Sequence, residues 1–347
     1  MIPRIDLPGA PVRPHRRGPE VVVLAAACRD DAHDDPRGWR LGGGVSYAAL
    51  ALARLGLRTA AVIGLDELAA TAPEVEMLAD AGVDLLRVPL AVGTVFRNVE
   101  TPAGRVQTCV QLGDPVPVVP VPDSWRASPA WMIVPVYGET GDGWAAAIPD
   151  HAFVTVGWQG YLRDLRTGER TRRKPPTSSA ILDRADLIGL SHFDVDPETP
   201  LDDLAKVLRP GTWLVVTQGA HGGTLAQVTE SGTGEVLQYP PTPARQEVDP
   251  VGAGDTFLAA LTATVVHHRL GGTRSRRGPL DLDFASAAGA LAVEAVGLAA
   301  APDRAAVLGR MIRQGIRRVA DGSAGVKVDS FEDPRPVDPA TQELPPT

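Results

Sequence analysis

Short apolar runs alternate with helix-like segments along most of this chain. The first run, Glu20-VVVLAAA, is rich in β-branched residues and has no polar alternation, which is typical of a strand buried on both faces of a parallel sheet. Similar runs follow at 58–64, 131–136, 153–157, 185–190 and 213–219. Alternating strand and helix signals predict βαβ units and therefore a mainly parallel sheet covered by helices.

The segments between the strands give the helices and one exception to the alternation. Ala- and Leu-rich residues at 42–57, with Gly56 near the end, predict a helix, and a second helix is expected near 71–82. Between 92 and 112 the pattern is instead two strand-like runs, TVFRNVE and RVQTCVQ, joined by a turn that contains Pro and Gly. This pattern predicts a β-hairpin that projects from the main sheet as a lid.

Composition indicates an ordinary globular protein. Of 347 residues, 44% are hydrophobic and 22% charged, and the net charge of −8 gives no basis for binding nucleic acid or an anionic membrane. No signal peptide or run of about 18 apolar residues occurs, and the two cysteines lack metal-type spacing, so we expect a cytoplasmic protein. We predict flexible tails at 1–19 and 321–347 around a single domain at 20–320.

Lysine is scarce in this sequence, which has three Lys and 31 Arg. None of the lysines, at positions 174, 206 and 327, is followed by Ser or Thr. A P-loop requires the pattern G-x-x-x-x-G-K-[ST], so this route to nucleotide binding is excluded and any ATP site must be built differently.

The most specific motif is a Gly-Ala-Gly-Asp turn, residues 252–255, that opens directly into an Ala- and Leu-rich helix. Backbone N–H groups at a helix N-terminus attract phosphate, and glycines let the backbone approach it closely. Asp255 would repel a phosphate, so it suggests a second role, that of a base that takes the proton of an acceptor hydroxyl. The alternative is that Asp255 only caps the helix. A Rossmann pattern is a weak rival, because Phe257 stands where the third glycine belongs.

This motif resembles the second signature of the ribokinase or PfkB carbohydrate kinase family, D-x-x-G-A-G-D, with Asp249 as its first residue. The resemblance implies a ribokinase-like three-layer α/β/α sandwich with a mainly parallel central sheet and a small β lid. It also implies that Asp255 is the catalytic base and that the amides of Gly252, Ala253 and Gly254 form an anion hole. ATP and Mg²⁺ are the implied cofactors, and a monovalent cation is a further possibility.

The acceptor site is suggested by the first family signature, a glycine pair followed by a helix that ends in A-R-L-G, which residues 42–57 resemble. Gly42 and Gly43 would approach the substrate, and Asp30, just after the first strand, would bind its hydroxyls. Asp30 is alternatively a solvated loop acid. Tyr47 replaces the Asn of many sugar kinases and either contacts an unusual substrate or packs in the core. Further polar candidates, with surface roles equally open, are Arg97, Asn98 and Gln159.

The resemblance also suggests where the nucleotide and magnesium bind. Thr217, Gly219 and Gly222 match the family's T-x-G-x-x-G loop, which lines the phosphates and ribose, and Ser286 and Ala288 lie on a helix that resembles the one beside the adenine. The family's N-x-x-E magnesium motif is replaced by Ser191-His-Phe-Asp194, so only Asp194 is available to hold Mg²⁺ through water.

We therefore expect an ATP-dependent phosphotransferase that acts on a hydroxyl of a small sugar, cyclitol or nucleoside. A homodimer paired through the β lid is a further expectation. The alternatives are a catalytically silent ribokinase-like protein that senses a nucleotide or sugar, consistent with the altered magnesium motif, and a nicotinamide-dependent oxidoreductase, which the missing third glycine disfavours.

Overall fold

The computed structural model describes residues 18–101, 104–271 and 280–320. The predicted tails therefore lie outside it, apart from residues 18 and 19. The strands are β1 Val21–Ala26, β2 Cys28–Asp31, β3 Trp39–Gly42, β4 Thr59–Leu65, β5 Asp84–Pro89, β6 Thr94–Thr101, β7 Gly104–Gln111, β8 Ala130–Ile133, β9 Phe153–Gly157, β10 Arg163–Asp164, β11 Glu169–Arg170, β12 Arg172–Arg173, β13 Leu187–Ser191, β14 Trp213–Thr217, β15 Gly223–Thr229 and β16 Gly232–Tyr239.

The helices lie between these strands and after the last of them. They are α1 Gly44–Arg54, α2 Glu67–Ala70, α3 Pro73–Asp80, α4 Asp123–Arg126, α5 Ala180–Arg184, α6 Leu201–Ala205, α7 Ala253–Arg269, α8 Leu282–Ala292 and α9 Arg304–Ala320. The two helices predicted at 42–57 and 71–82 correspond to α1 and α3. Gly56, with φ +96°, follows the end of α1, where a left-handed conformation is common.

A nine-stranded sheet forms the centre of the molecule, in the order β16-β15-β14-β13-β9-β8-β1-β4-β5. The pairs from β14 to β5 are all parallel, and β15 and β16 extend the sheet by antiparallel pairing. The predicted mainly parallel sheet is confirmed. The carboxyl ends of the parallel strands meet at one edge, which is where ligands bind in open α/β sheets.

Helices cover both faces of this sheet, because the side chains of each strand alternate between two cores. In β1, Val21 and Val23 pack into one core with α1, α3, α7 and α8, whereas Val22 and Leu24 pack into the other with α4, α5 and α6. All four of these β1 side chains are fully buried, which explains why the strand has no polar alternation. The three-layer α/β/α architecture is confirmed.

The second sheet is the predicted lid. Strands β6 and β7 form the expected hairpin, although residues 102 and 103 of its turn lie outside the described ranges. The structure adds three strands that the sequence pattern did not reveal, which gives the order β11-β7-β6-β2-β3. Buried Cys28, Phe96 and Cys109 form a small core under the lid with Val136 and Leu165. Dimerisation through this lid stays a prediction.

Two boundaries differ from the sequence-based expectation. The run at 131–136 forms a strand only to Ile133, because Pro135 has no N–H with which to continue the ladder. Asp30, expected just after the first strand, lies within a second strand, β2, where it pairs with β3 on one side and β6 on the other. Of the helices in the described ranges, none is long and apolar enough to cross a membrane.

The central strand β1 is expected to contribute strongly to stability. Leu24 is fully buried in the core beneath α4, α5 and α6, so Leu24→Ala should lower the free energy of unfolding by about 2–5 kcal/mol. The control Leu68→Ala, at a position with 53% of its surface exposed, should change it by less than about 0.5 kcal/mol. Urea unfolding followed by circular dichroism measures both, and equal losses would contradict the assignment of this core.

Candidate active site

Helix α7 begins at the carboxyl edge of the sheet, and the loop before it is held in place by hydrogen bonds of Asp249. The carboxylate of Asp249 accepts the N–H of Val251 at 3.0 Å and the N–H of Gly297 at 3.1 Å, which ties the loop to the segment after α8. Gly252, the residue before the helix, has φ +77°, a conformation that favours glycine. The Asp-x-x-Gly part of the motif therefore sets the direction in which α7 starts.

The N-terminus of α7 keeps backbone donors available. Gly252 is the N-cap residue, and no side chain of the described residues caps this end of the helix. The N–H of Ala253 donates to the carbonyl of Pro250 at 3.3 Å. In the same part of the chain, the N–H groups of Gly254 and Asp255 have no acceptor, and a Cβ at position 254 would meet no atom within 4 Å. Uncapped donors beside open space suit an anion. Of the three predicted anion-hole amides, that of Ala253 is already engaged.

The carboxylate of Asp255 lies in the first turn of α7 and packs against the start of α1. A Cβ at position 44 would lie 2.8 Å from Asp255 Oδ1 and 2.8 Å from the carbonyl oxygen of Val134, so only glycine leaves room for the carboxylate. Burial raises the pKa of Asp255 from 3.8 to about 6, Arg163 opposes this rise, and Asp194 adds to it. A carboxylate with a pKa near the working pH suits a general base.

Tyr47 packs directly on the glycine that precedes α7. A Cβ at position 252 would collide with the ring of Tyr47, so this glycine is needed for close approach as well as for its backbone conformation. Tyr47 is 6% exposed, and burial together with Asp30, Asp249, Cys28 and Asp255 raises its pKa well above 10. The ring therefore joins α1 to α7 between the acidic groups of the site, and it stays protonated.

Asp30, a predicted substrate contact, is oriented by the lid. The carboxylate of Asp30 lies against Gly42, where any Cβ would collide with it, and its Oδ1 accepts the amide of Asn98 at 3.4 Å. Asn98 in turn accepts the amide of Gln107 at 3.0 Å. Two lid strands thus orient one carboxylate through a chain of amide hydrogen bonds. Gly43, with φ +88°, forms the tight turn into α1 beside the backbone of Cys28.

Arg97 is placed apart from this group. It neighbours Asn98 on β6, so its side chain points to the opposite face of the lid. There its Nε donates to Asp31 Oδ2 at 2.7 Å, and 54% of the side chain is exposed. The structure brings Asp30 and Asn98 together, while Arg97 pairs on the outer face.

Asp194 and Gln159 lie together near the end of β13. Asp194 is 7% exposed, its Oδ1 accepts the amide of Gln159 at 3.1 Å, and its Oδ2 accepts the N–H of Ser191 at 2.8 Å in a capping box. The charge of Asp194 acts on Asp255. Gln159, predicted as a substrate contact, is therefore joined to the predicted magnesium residue.

The fit of Mg²⁺ follows from this arrangement. In the described ranges, no three His, Cys, Asp or Glu side chains are grouped so that they could hold a metal ion. The single oriented carboxylate of Asp194 fits an ion held mainly by water and phosphate oxygens, which is how Mg²⁺ commonly binds.

The predicted nucleotide loop forms a tight turn after β14. The hydroxyl of Thr217 donates to the carbonyl of Leu190 at 3.3 Å, and Gln218 N–H donates to Gly222 O at 2.7 Å. Gly219 and Gly222 have φ of +56° and +83°, and a Cβ at Gly222 would collide with the carbonyl of Tyr239. The exposed tip of this loop follows a strand end at the same edge of the sheet as α7.

The two predicted adenine contacts, Ser286 and Ala288, are less exposed than the tip of the nucleotide loop. Both residues lie on α8, where the hydroxyl of Ser286 accepts the N–H of Thr242 at 2.8 Å. Ala288 is fully buried in the core that contains α1 and α7. The structure places Ser286 beside the loop before α7, whereas Ala288 packs inside the protein.

Two charged residues of the site, Glu139 and Arg163, were not among the predicted site residues. Glu139 is 1% exposed and accepts N–H groups from Ala26, Val136 and Tyr137 at 2.9–3.2 Å. Burial raises its pKa, and these hydrogen bonds oppose the rise. Arg163 bonds the carbonyl of Val136 and acts electrostatically on Asp255 and Cys28. Its position after a buried strand makes Glu139 a polar candidate in the sequence, but nothing in the sequence distinguishes Arg163 among 31 arginines.

Comparison with known proteins identifies a related family and a shared fold. The family model described as pfkB family carbohydrate kinase matches residues 182–304, which include the predicted nucleotide loop and the start of α7. A search of curated proteins found no match.

Solved structures share the fold across most of the chain. A pyrophosphate-dependent kinase in the ribokinase family, complexed with a pyrophosphate analog and myo-inositol, is 18% identical, with a TM-score of 0.61, and the alignment covers 83% of this chain and 99% of that one. Arabidopsis thaliana ribokinase, complexed with ribose and ATP, is 20% identical, with a TM-score of 0.59 and coverage of 85% and 99%. Methanocaldococcus jannaschii nucleoside kinase is 14% identical, with a TM-score of 0.61 and coverage of 86% and 99%. At these identities the likeness shows a common ribokinase-like fold.

The raised pKa of Asp255 predicts a pH-dependent cost to stability. Because the pKa is 3.8 when the carboxyl is unperturbed and about 6 in the folded protein, ionisation disfavours folding, fully above about pH 6 and not at all below about pH 3.5. Asp255→Asn should therefore raise the free energy of unfolding by about 1–2 kcal/mol at about pH 8, after allowance for solvent screening, and leave it unchanged at about pH 3.5.

Chemical denaturation at the two pH values measures this effect. Asp123→Asn is the matched control, because the Asp123 side chain is fully exposed. A variant that is no more stable than the unsubstituted protein at the higher pH would show that the Asp255 carboxylate is not strained by its surroundings.

Proposed function

From its match to the PfkB carbohydrate kinase family over residues 182–304 and its ribokinase-like fold, we propose that this protein is an ATP-dependent kinase. Its acceptor is a hydroxyl of a small sugar, cyclitol or nucleoside. The observation that carries the proposal is the placement of the Asp255 carboxylate beside the uncapped N–H groups of α7. A proton acceptor and an anion site in one helical turn are the two elements that phosphoryl transfer to a hydroxyl needs.

In the proposed reaction, the carboxylate of Asp255 accepts the proton of the acceptor hydroxyl. The hydroxyl oxygen forms a bond to the γ-phosphorus of ATP, the bond from that phosphorus to the bridging oxygen breaks, and its electron pair leaves with ADP. The N–H groups of Gly254 and Asp255 stabilise charge on the phosphoryl oxygens. The carboxylate and the donors belong to the same rigid turn, so neither must reorganise during transfer.

The acceptor is held by the lid side of the site. Asp30, oriented by Asn98, has acceptor oxygens for neighbouring hydroxyls, and neutral polyols supply the matching donors. Tyr47 forms the wall between this group and Gly252. An acceptor spanning from Asp30 to Asp255 would have one hydroxyl at the base while others fix its orientation. Closure of the lid would exclude water and favour transfer over hydrolysis of ATP.

In this proposal, ATP lies across the 217–222 turn and the start of α7, at the carboxyl edge of the sheet. Thr217, Gly219 and Gly222 supply a turn that lets backbone approach the phosphates, and α7 receives the transferred end. Asp194, oriented by Gln159 and Ser191, would hold Mg²⁺ through water. The ion would neutralise phosphate charge when bound.

The function is tested by ADP release from Mg·ATP with a panel of sugars, cyclitols and nucleosides. Pyrophosphate is included as a second donor, because one of the similar structures is a pyrophosphate-dependent kinase. ADP release that requires an acceptor supports the proposal. If ATP binds but no acceptor in a broad panel is phosphorylated, the catalytically silent sensor becomes the better account.

Asp255→Asn should lower kcat by about 10²–10⁴-fold, because it removes the base but keeps the backbone donors of α7. The dissociation constant for Mg·ATP should change little. In the unsubstituted protein, activity should fall as pH drops through about 6, since the base works only when ionised. Steady-state kinetics from about pH 5 to pH 9 test both expectations; near-normal turnover by the variant would remove Asp255 from this role.

Asp194→Ala should raise the Mg²⁺ concentration needed for half-maximal activity by roughly 10-fold, because it removes the proposed outer ligand. Asp196→Ala is the matched control, since the Asp196 side chain is 84% exposed and only loosely paired with Arg173. A magnesium titration at saturating ATP compares the two. The same response in both variants would assign the metal to another group.

A further inference from the structure

Arg163 is a positively charged residue of the site to which the proposed reaction gives no role. The turn before it fixes its position. Residues 158–162 form a short 3-10 helix after β9 that lies against the segment following β8. A Cβ at Gly160 would collide with the carbonyl of Pro135 and lie 2.9 Å from the N–H nitrogen of Tyr137, so the two segments are in direct backbone contact. Arg163 follows this contact immediately and is directed to the carboxyl edge of the sheet.

The guanidinium of Arg163 is only weakly engaged by the protein. Its Nη1 reaches the carbonyl of Val136 at 3.5 Å, the upper limit for a hydrogen bond. Within the described ranges, no ion pair joins it to a carboxylate, although other arginines on the same segment are paired: Arg166 with Asp164, Arg172 with Glu169 and Arg173 with Asp196. Most of its N–H donors therefore remain available for a ligand.

Arg163 acts electrostatically on Cys28 on β2 and on Asp255 on α7. Of the other charged groups, Asp30 and Glu139 act on the same Cys28, and Asp194 acts on the same Asp255. Burial raises the pKa of both Asp255 and Cys28, and the positive charge of Arg163 opposes both rises. Arg163 thus acts on both the carboxylate of Asp255 and Cys28, the first residue of the lid strand β2.

We propose that Arg163 binds the phosphoryl group during transfer, from the β8 side of the site, while the N–H groups of α7 bind it from the other. The proposal rests on the kinase function above. The phosphoryl group must pass beside Asp255, because that carboxylate contacts the attacking hydroxyl. Arg163 reaches the same stretch of backbone after β8: its Nη1 lies 3.5 Å from the carbonyl of Val136, and the Asp255 carboxylate and the carbonyl of Val134 both lie against Gly44. Arginine stabilises the charge of a transferring phosphoryl group in many phosphotransferases.

An acidic acceptor is the competing occupant of the same guanidinium. Such a molecule would place a permanent negative charge among Asp30, Glu139, Asp194 and Asp255, all of which are acidic. A neutral acceptor avoids this repulsion and leaves Arg163 for the phosphoryl group, which also has the N-terminus of α7 to stabilise it.

The kinetic test compares Arg163→Gln, Arg163→Lys and the control Arg166→Gln, with Mg·ATP and the best acceptor of the panel. Arg166 is on the same segment, and 63% of its side chain is exposed. Arg163→Gln should lower kcat by about 10²–10³-fold and leave the acceptor KM within about threefold, and Arg163→Lys should recover part of the loss. The acid limb of the pH profile should move to higher pH in Arg163→Gln, because the charge that lowers the pKa of Asp255 is gone.

A binding test separates this proposal from the kinase function. Calorimetric titration of inorganic phosphate into the protein with Mg·ADP should show at least about 10-fold weaker binding in Arg163→Gln and no change in Arg166→Gln. If Arg163→Gln loses phosphate binding but the unsubstituted protein phosphorylates no acceptor, the assignment of Arg163 to an anion site stands and the proposed kinase function fails.

Two results would overturn the assignment. A higher acceptor KM with unchanged kcat would assign Arg163 to an acidic acceptor. If Arg163→Gln changes neither the kinetics nor the phosphate affinity, Arg163 has no role in transfer. Should Arg163→Gln fail to fold by circular dichroism, Arg163→Lys carries the same measurements, with a smaller expected change.

Discussion

The close approach of α1 to α7 is the contact on which the site depends. Gly44 leaves space for the carboxylate of Asp255, and Gly252 leaves space for the ring of Tyr47, so the two helices meet where a side chain at either glycine would collide. The contact holds a carboxylate beside uncapped N–H groups. Because burial raises the pKa of that carboxylate to about 6, the fold gives up some stability when the carboxylate is ionised there.

The rest of the molecule builds outward from this contact. The parallel strands end at one edge, and the segments that follow β8, β9, β13 and β14 bring Glu139, Arg163, Asp194 and the 217–222 turn to it. The chain passes from β1 into the lid sheet at Cys28, so Asp30 lies in a lid strand that directly follows the central strand of the main sheet. The groups proposed to bind hydroxyls therefore lie on the lid side, and the groups proposed to bind phosphate lie on the α7 side.

Local patterns made much of this predictable. β-branched runs identified the buried strands, and the Gly-Ala-Gly-Asp turn before a strong helix former identified α7, because both depend on neighbouring residues. Arg163 depends instead on a backbone contact between Gly160 and Pro135, which no local pattern reveals. The strand that contains Asp30 was missed for the same reason, since its pairing partners lie in β3 and β6. Burial of Ala288 likewise follows from helix packing.

The measurement that tests the central claim most directly is a ³¹P NMR spectrum of the protein incubated with Mg·ATP and a mixed set of sugars, cyclitols and nucleosides. The account predicts that ADP appears together with a phosphomonoester resonance, and that neither forms at a comparable rate without acceptors. Release of orthophosphate alone at the same rate with and without acceptors would contradict it, because water and not a bound hydroxyl would then be the nucleophile at Asp255.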